Sequence, residues 1–399
     1  MQRDRGLRVA TSWTTDIHPA RGAADAHERL LQRLGADPSY LVVFATEPFG
    51  LRPALQRLRE LAGCPMHGAT SFRAVMTEEG VHAHDGRALG MLGVVDPDGS
   101  YGVGMARIGD NPGDSAKRAA REALDQAQRP GEVPAAILMT AAPGCEEALI
   151  AGAESFFGSE VPIVGGSSAD EQIQGDWLQA ANERVASDSV VLSAMFPSTE
   201  VGAAFHSGHG PTSFRGRVTR SSGRTLWEID GRPAAEVYAQ WTGKALPAED
   251  GASIFGDTTT VPLGRAVAAM GGIETFLLMH PATVVAGGGL TMFAEVREGD
   301  TVVLMRGTRR SLVTRAGRVA QSVADQAEER LEQVRGALVF FCAGCLLTVG
   351  EALDEAVAGV RSSLDGQPFL GAFTYGEQGC LPDGKNHHGN LMISIAGWL

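Results

Sequence analysis

The amino-acid sequence predicts a mixed α/β fold, α+β in its strand pairing. It consists of repeated strand–helix–strand units in mixed sheets covered by helices, divided into two domains. Three observations predict it. Short apolar runs alternate with amphipathic stretches. A Pro-x-x-Gly signature returns three times in one context. The 399 residues, 44% of them hydrophobic, are enough for two or three domains with sizeable cores and too apolar for a disordered chain.

The apolar runs Leu41-Val42-Val43-Phe44, Ala136-Ile137-Leu138-Met139 and Ala337-Leu338-Val339-Phe340-Phe341 read as buried strands. Helical faces lie between them. Leu51, Leu55, Leu58 and Leu61 form one. A helix over 114–128 follows Asn111-Pro112-Gly113, with Asp114 as its N-cap and an alanine face from Ala116 to Ala127. Another is predicted over 318–334, on Ala320, Val323, Ala327, Leu331 and Val334. A fourth runs through Leu353, Val357, Val360 and Leu364. Each strand leads through a loop and a helix into Pro-x-x-Gly: Pro65–Gly68, Pro162–Gly165 and Pro368–Gly371. Small or polar residues follow, and then another apolar strand over 89–95, 190–196 or 391–396. Segment 197–310 is richer in strands and turns, with an irregular connection at 241–262.

The net charge of −13 excludes nucleic acid as the main partner, because no basic run exceeds a pair such as Lys117-Arg118 or Arg309-Arg310. The start of the chain lacks a signal-peptide apolar region, and no charge-free stretch reads as a membrane span. The expectation is a cytoplasmic protein without membrane contact. Five cysteines in a chain of this size do not make a disulfide framework. The 51 glycines, about twice the usual ~7%, imply many tight turns and close backbone approaches.

In open α/β sheets ligands bind beyond the carboxyl ends of strands, which directs attention to 46–50, 140–146, 342–348 and the stretches after Pro-x-x-Gly. Gly166, Ser167, Ser168 and Asp170 offer backbone N–H groups, two hydroxyls and a carboxylate, either for a small polar ligand or for a tight turn. Tyr375 and Glu377 flank the flexible Gly376. Cys342-Ala343-Gly344-Cys345 is a C-x-x-C between a strand and a helix. It reads as two half-buried residues, as a redox pair, or as part of a zinc site with Cys380 and His387 or His388. The spare histidines His206, His209 and His388 are candidate haem-iron ligands. No phosphate-binding loop, nucleophile elbow or dinucleotide fingerprint is present, and no catalytic constellation emerges.

The run from Gly336 through Cys342-Ala343-Gly344, then Glu351, then Pro368 through Tyr375-Gly376-Glu377, resembles the FIST C-terminal domain. Pro162 through Asp170, and Val218 through Tyr238, resemble the FIST N-terminal domain. The order and coverage imply an N-terminal domain over 1–236 and a C-terminal domain over 237–399. Two positions depart from the pattern: Cys345 stands where arginine is frequent, and Gly389 where asparagine closes the motif. The resemblance implies a sensory module of bacterial signal transduction, not an enzyme. Such a module binds a small, amino-acid-like ligand or another metabolite and acts through a separate partner. Gly166, Ser167, Ser168, Asp170, Cys342, Tyr375 and Glu377 would line its site. Some members imply an alternative, a nitric-oxide-responsive haem protein regulating a histidine kinase. The C-x-x-C adds a third reading, a thiol redox enzyme.

Overall fold

The computed structural model describes residues 6–270, 273–330 and 332–399. Three consecutive units share one order of elements. The first has strand Arg8–Thr14, helix Pro19–Leu34, strand Tyr40–Thr46, helix Leu51–Leu61, strand Met66–Ser71, hairpin Val75–Thr77/Gly80–His82 and strand Leu89–Val95. The second repeats this with Ser100–Arg107, Pro112–Gln126, Ala136–Ala141, Glu146–Phe157, Ile163–Ser167, hairpin Gln179–Ala181/Arg184–Ala186 and Ser189–Phe196. The third has Val201–Ser207, Arg309–Glu329, Gly336–Cys342, helices Ala343–Val349 and Leu353–Ser363, Phe369–Thr374, hairpin Glu377–Cys380/Asn386–Gly389 and Met392–Trp398.

Within each unit the sheet runs first strand, last strand, second, third, and the second and third strands are parallel. The hairpins are exchanged around a ring. That of the first unit completes the third sheet (Met76 opposite Gly371), that of the second completes the first (Ala180 opposite Gly68), and that of the third completes the second (Gln378 opposite Gly165). The Pro-x-x-Gly glycines sit on these crowded strands. A Cβ at Gly165 would strike the carbonyl oxygen of Met139 on the parallel neighbour.

The inner faces of the sheets meet in one core around Tyr40, Phe44, Val103, Leu138, Phe340 and Trp398. Between the first two units a sealed polar network crosses it. The Tyr40 hydroxyl donates to Ser193 Oγ at 2.7 Å, and the His67 ring bridges Ser193 Oγ and Thr140 Oγ1 at 2.7 and 2.8 Å. Burial lowers the His67 ring to about 3, so it stays neutral.

Between Ser207 and Arg309 the third unit carries an insertion. It forms an eight-stranded antiparallel sheet with helices Ala234–Thr242 and Phe255–Thr258. Among the described residues no helix is long and apolar enough to cross a membrane.

Some element ends differ from expectation. The helix expected from Asp114 begins at Pro112, because Asn111 caps it by accepting the N–H of Asp114. The helix expected over 318–334 runs Arg309–Glu329, behind a Thr308/Ser311 capping box; Val334 lies beyond its end, and Leu331 is outside the described residues. Its basic first turns hide the apolar period there, and Gly317 packs against Gly359 of the neighbouring helix. Strand Gly80–His82 ends at His82, which stacks on Trp13, and His84 is solvent-exposed.

Candidate functional site

The carboxyl ends of the second and third strands of the third unit open into a cavity of about 240 Å³. The first unit contributes Phe72 and Arg73, the second Glu146 and the 171–177 loop, the third Cys342, Gly344, Thr374, Tyr375 and Asn390. The inserted sheet and its short helix supply Arg224, Phe255, His280 and Phe293.

Two aromatic groups face this cavity. Tyr375 lies 5.9 Å from Phe72 and meets Trp177 edge-on at 6.2 Å. On the other side Phe293 is 6.2 Å from Phe255 and 5.6 Å from the His280 ring. His280 Nε2 donates to the Phe255 carbonyl at 2.8 Å, which leaves Nδ1 as an acceptor, and burial lowers the ring to about 4.

Asp170 shapes one wall. Its carboxylate accepts the backbone N–H groups of Ile173, Gln174, Gly175 and Asp176 at 2.6 to 2.9 Å. The Tyr375 hydroxyl donates to it at 3.0 Å. Against the pull of burial, these bonds hold the carboxyl below its usual range. Asp170 is therefore the anchor of the 171–177 loop that presents Trp177.

Two fully buried carboxyl groups belong to this region, Glu146 in the cavity wall and Glu377 behind it. Ser167 Oγ donates to Glu146 at 2.7 Å, and Thr374 Oγ1 donates to Glu377 at 2.8 Å. Burial pushes Glu146 up, but His388, Arg224 and Ser167 outweigh it and bring it to about 2. Arg224 forks between Glu146 and Glu147, at 2.5 and 2.6 Å. For Glu377 burial and the adjacent Cys342 sulfur prevail over the hydrogen bonds from Thr374 and Met392, and its carboxyl lies well above the ordinary range.

Of the residues singled out in the sequence, Cys342 and Tyr375 line the cavity. Asp170, Ser167 and Glu377 hold its walls from behind. A Cβ at Gly166 would collide with Thr374, so this glycine lets two strand ends close up. Ser168 is fully buried, its hydroxyl without a hydrogen-bond partner. None of His206, His209 and His388 lines this cavity. His206 lies on strand Val201–Ser207, His209 bonds the Thr259 carbonyl, and His388 faces a separate polar cavity of about 440 Å³. His280, in the apolar cavity, spends Nε2 on a backbone carbonyl and keeps Nδ1 as an acceptor. Among the described residues no three of His, Cys, Asp and Glu gather around one metal position.

The sequence reading missed Arg224, Phe255, His280, Phe293 and Asn390. A lone histidine in the charge-free run Thr275–Ala294 was the only sign of His280.

A FIST N domain family model matches residues 39–232, and a FIST C domain model matches 234–380. An 80-residue segment, 20% of this chain, is 29% identical to an uncharacterised protein of Methanocaldococcus jannaschii, of whose length the match spans only 16%. The crystal structure of a cyanuric acid hydrolase from A. caulinodans aligns over 98% of this chain and 99% of its own, at 9% identity and a TM-score of 0.33. A likeness that low carries no argument here.

Proposed function

The chain belongs to the FIST family, and from that premise we propose that it is a sensory binding protein, not an enzyme, whose ligand sits in the aromatic-walled cavity. FIST domains are generally proposed to be sensory small-ligand-binding domains of signal transduction. The observation that carries the proposal for this chain is the joint construction of the cavity. All three units and the inserted sheet contribute to one small pocket, so a bound molecule would bridge them. Its rings favour a flat, largely apolar body, and Asn390 and Thr374 offer a polar edge to one end of it. Ligand binding would then bias how the units pack, and a separate signalling protein would read the change.

A thermal-shift screen of amino acids and aromatic metabolites with the purified chain tests this. A saturable rise in Tm that Tyr375→Ala abolishes is expected. Steady turnover of a bound compound, or stabilisation that survives Tyr375→Ala, would overturn it.

A further inference from the structure

Ligand binding leaves one chemistry on the cavity floor unused. Cys342 closes strand Gly336–Cys342, and its side chain lines the cavity. Cys345, three residues on at the start of the next helix, is 2% exposed. The neighbouring Cys345 thiol and the backbone N–H groups of Cys345, Leu391 and Gly344 favour an anionic Cys342 sulfur. Against burial, these donors bring the Cys342 thiol down to about 7, while Cys345 is driven upward by its neighbour. The other cysteines have the opposite surroundings: burial pushes Cys64 to about 12 and Cys145 to about 11, and also raises Cys380. Burial and the Cys342 sulfur raise the adjacent Glu377 carboxyl well above its ordinary range, which opposes a second buried charge beside the sulfur.

We propose that Cys342 is a hydroperoxide-reactive thiol on the cavity floor and that Cys345 is its resolving partner, so that oxidation closes a disulfide inside the pocket. In the first step the Cys342 thiolate attacks a peroxide oxygen. An S–O bond forms, the O–O bond breaks, and the leaving hydroxide takes up a proton. In the second step the Cys345 sulfur attacks Cys342. The S–S bond forms, the S–O bond breaks, and hydroxide leaves with the Cys345 proton as water. Two thiols lose two electrons, and hydrogen peroxide becomes two waters. The inference is independent of the sensory reading, since its evidence lies at the sulfur atoms.

The test exposes the folded full-length chain to hydrogen peroxide, blocks remaining thiols with iodoacetamide and maps the products by mass. A Cys342–Cys345 disulfide is expected before any change at Cys64, Cys145 or Cys380, and dithiothreitol should reverse it. Cys345→Ser should stop the reaction at a dimedone-trapped sulfenic acid on Cys342, and Cys342→Ser should remove both products, with thermal melts confirming folded variants. On the parent chain alone, Cys342 should alkylate about tenfold or more faster than Cys380 at pH 7. Oxidation of Cys380 before Cys342, equal alkylation rates, or a Cys345→Ser product identical to the parent's would overturn the proposal.

Discussion

Two carboxyl groups meet hydroxyls at equivalent strand ends and are shifted in opposite directions. Ser167 and Thr374 occupy the same position in their units, opposite Ala141 and Cys342 on the parallel neighbour. Each donates to a glutamate that is at most 1% exposed. Burial pushes both up, but His388 and the Arg224 delivered by the insertion bring Glu146 down, whereas at Glu377 burial and the Cys342 sulfur leave the carboxyl raised. The repeat sets the geometry, and what each unit adds to it decides the direction of the shift.

Removing the cation breaks this comparison most severely. Arg224→Ala takes the salt-bridge partner from the buried Glu146 and the half-buried Glu147, with an expected loss of about 3 kcal/mol in urea unfolding at pH 7. Unchanged stability would mean that Arg224 does not set the charge of Glu146. Next is Glu146→Gln, expected to cost about 2 kcal/mol at pH 7. Because folding lowers the Glu146 carboxyl from 4.5 to about 2, its contribution is complete above 4.5 and is lost as the pH falls towards 2. The variant should show a correspondingly flatter acid slope.

For Glu377→Gln the sign reverses. The folded carboxyl keeps its proton above 4.5 while the unfolded one ionises, so the parent loses stability as the pH rises beyond that value. The variant should lie within about 1 kcal/mol of the parent at pH 4.5 and gain on it at higher pH. A variant that loses ground instead would mean that Glu377 is charged. The smallest effect belongs to Tyr375→Phe, which deletes the hydroxyl bonded to Asp170. About 1 kcal/mol of stability and faster proteolysis within 171–177 are expected, with both carboxyl titrations unchanged.

Much of this was legible in the residues. The three Pro-x-x-Gly copies exposed the units because the parallel third strand needs small residues where its neighbours press closest. Tyr375, Glu377, Ser167 and Cys342 were found because strand ends are where such folds expose polar groups. The hairpin exchange was not legible. Its first two hairpins have strands of three residues, too short for a period, and pair with partners about 110 to 290 positions away. Arg224 and His280 escaped because an insertion's return to the strand ends leaves no local pattern. His206 and His209 were singled out as spare histidines, and the sequence does not reveal that the His209 ring already serves a backbone carbonyl.

The ring of exchanged hairpins also constrains the order in which the chain can fold. Residues 75–82 wait for strand Phe369–Thr374, and strand Ile163–Ser167 waits for 377–389. During synthesis the second sheet therefore stays open until residue 389 has left the ribosome. Neither FIST domain closes all its sheets with its own strands, so the chain should assemble late and in one cooperative step. Cutting it between residues 232 and 234 should give two fragments that fold only when mixed.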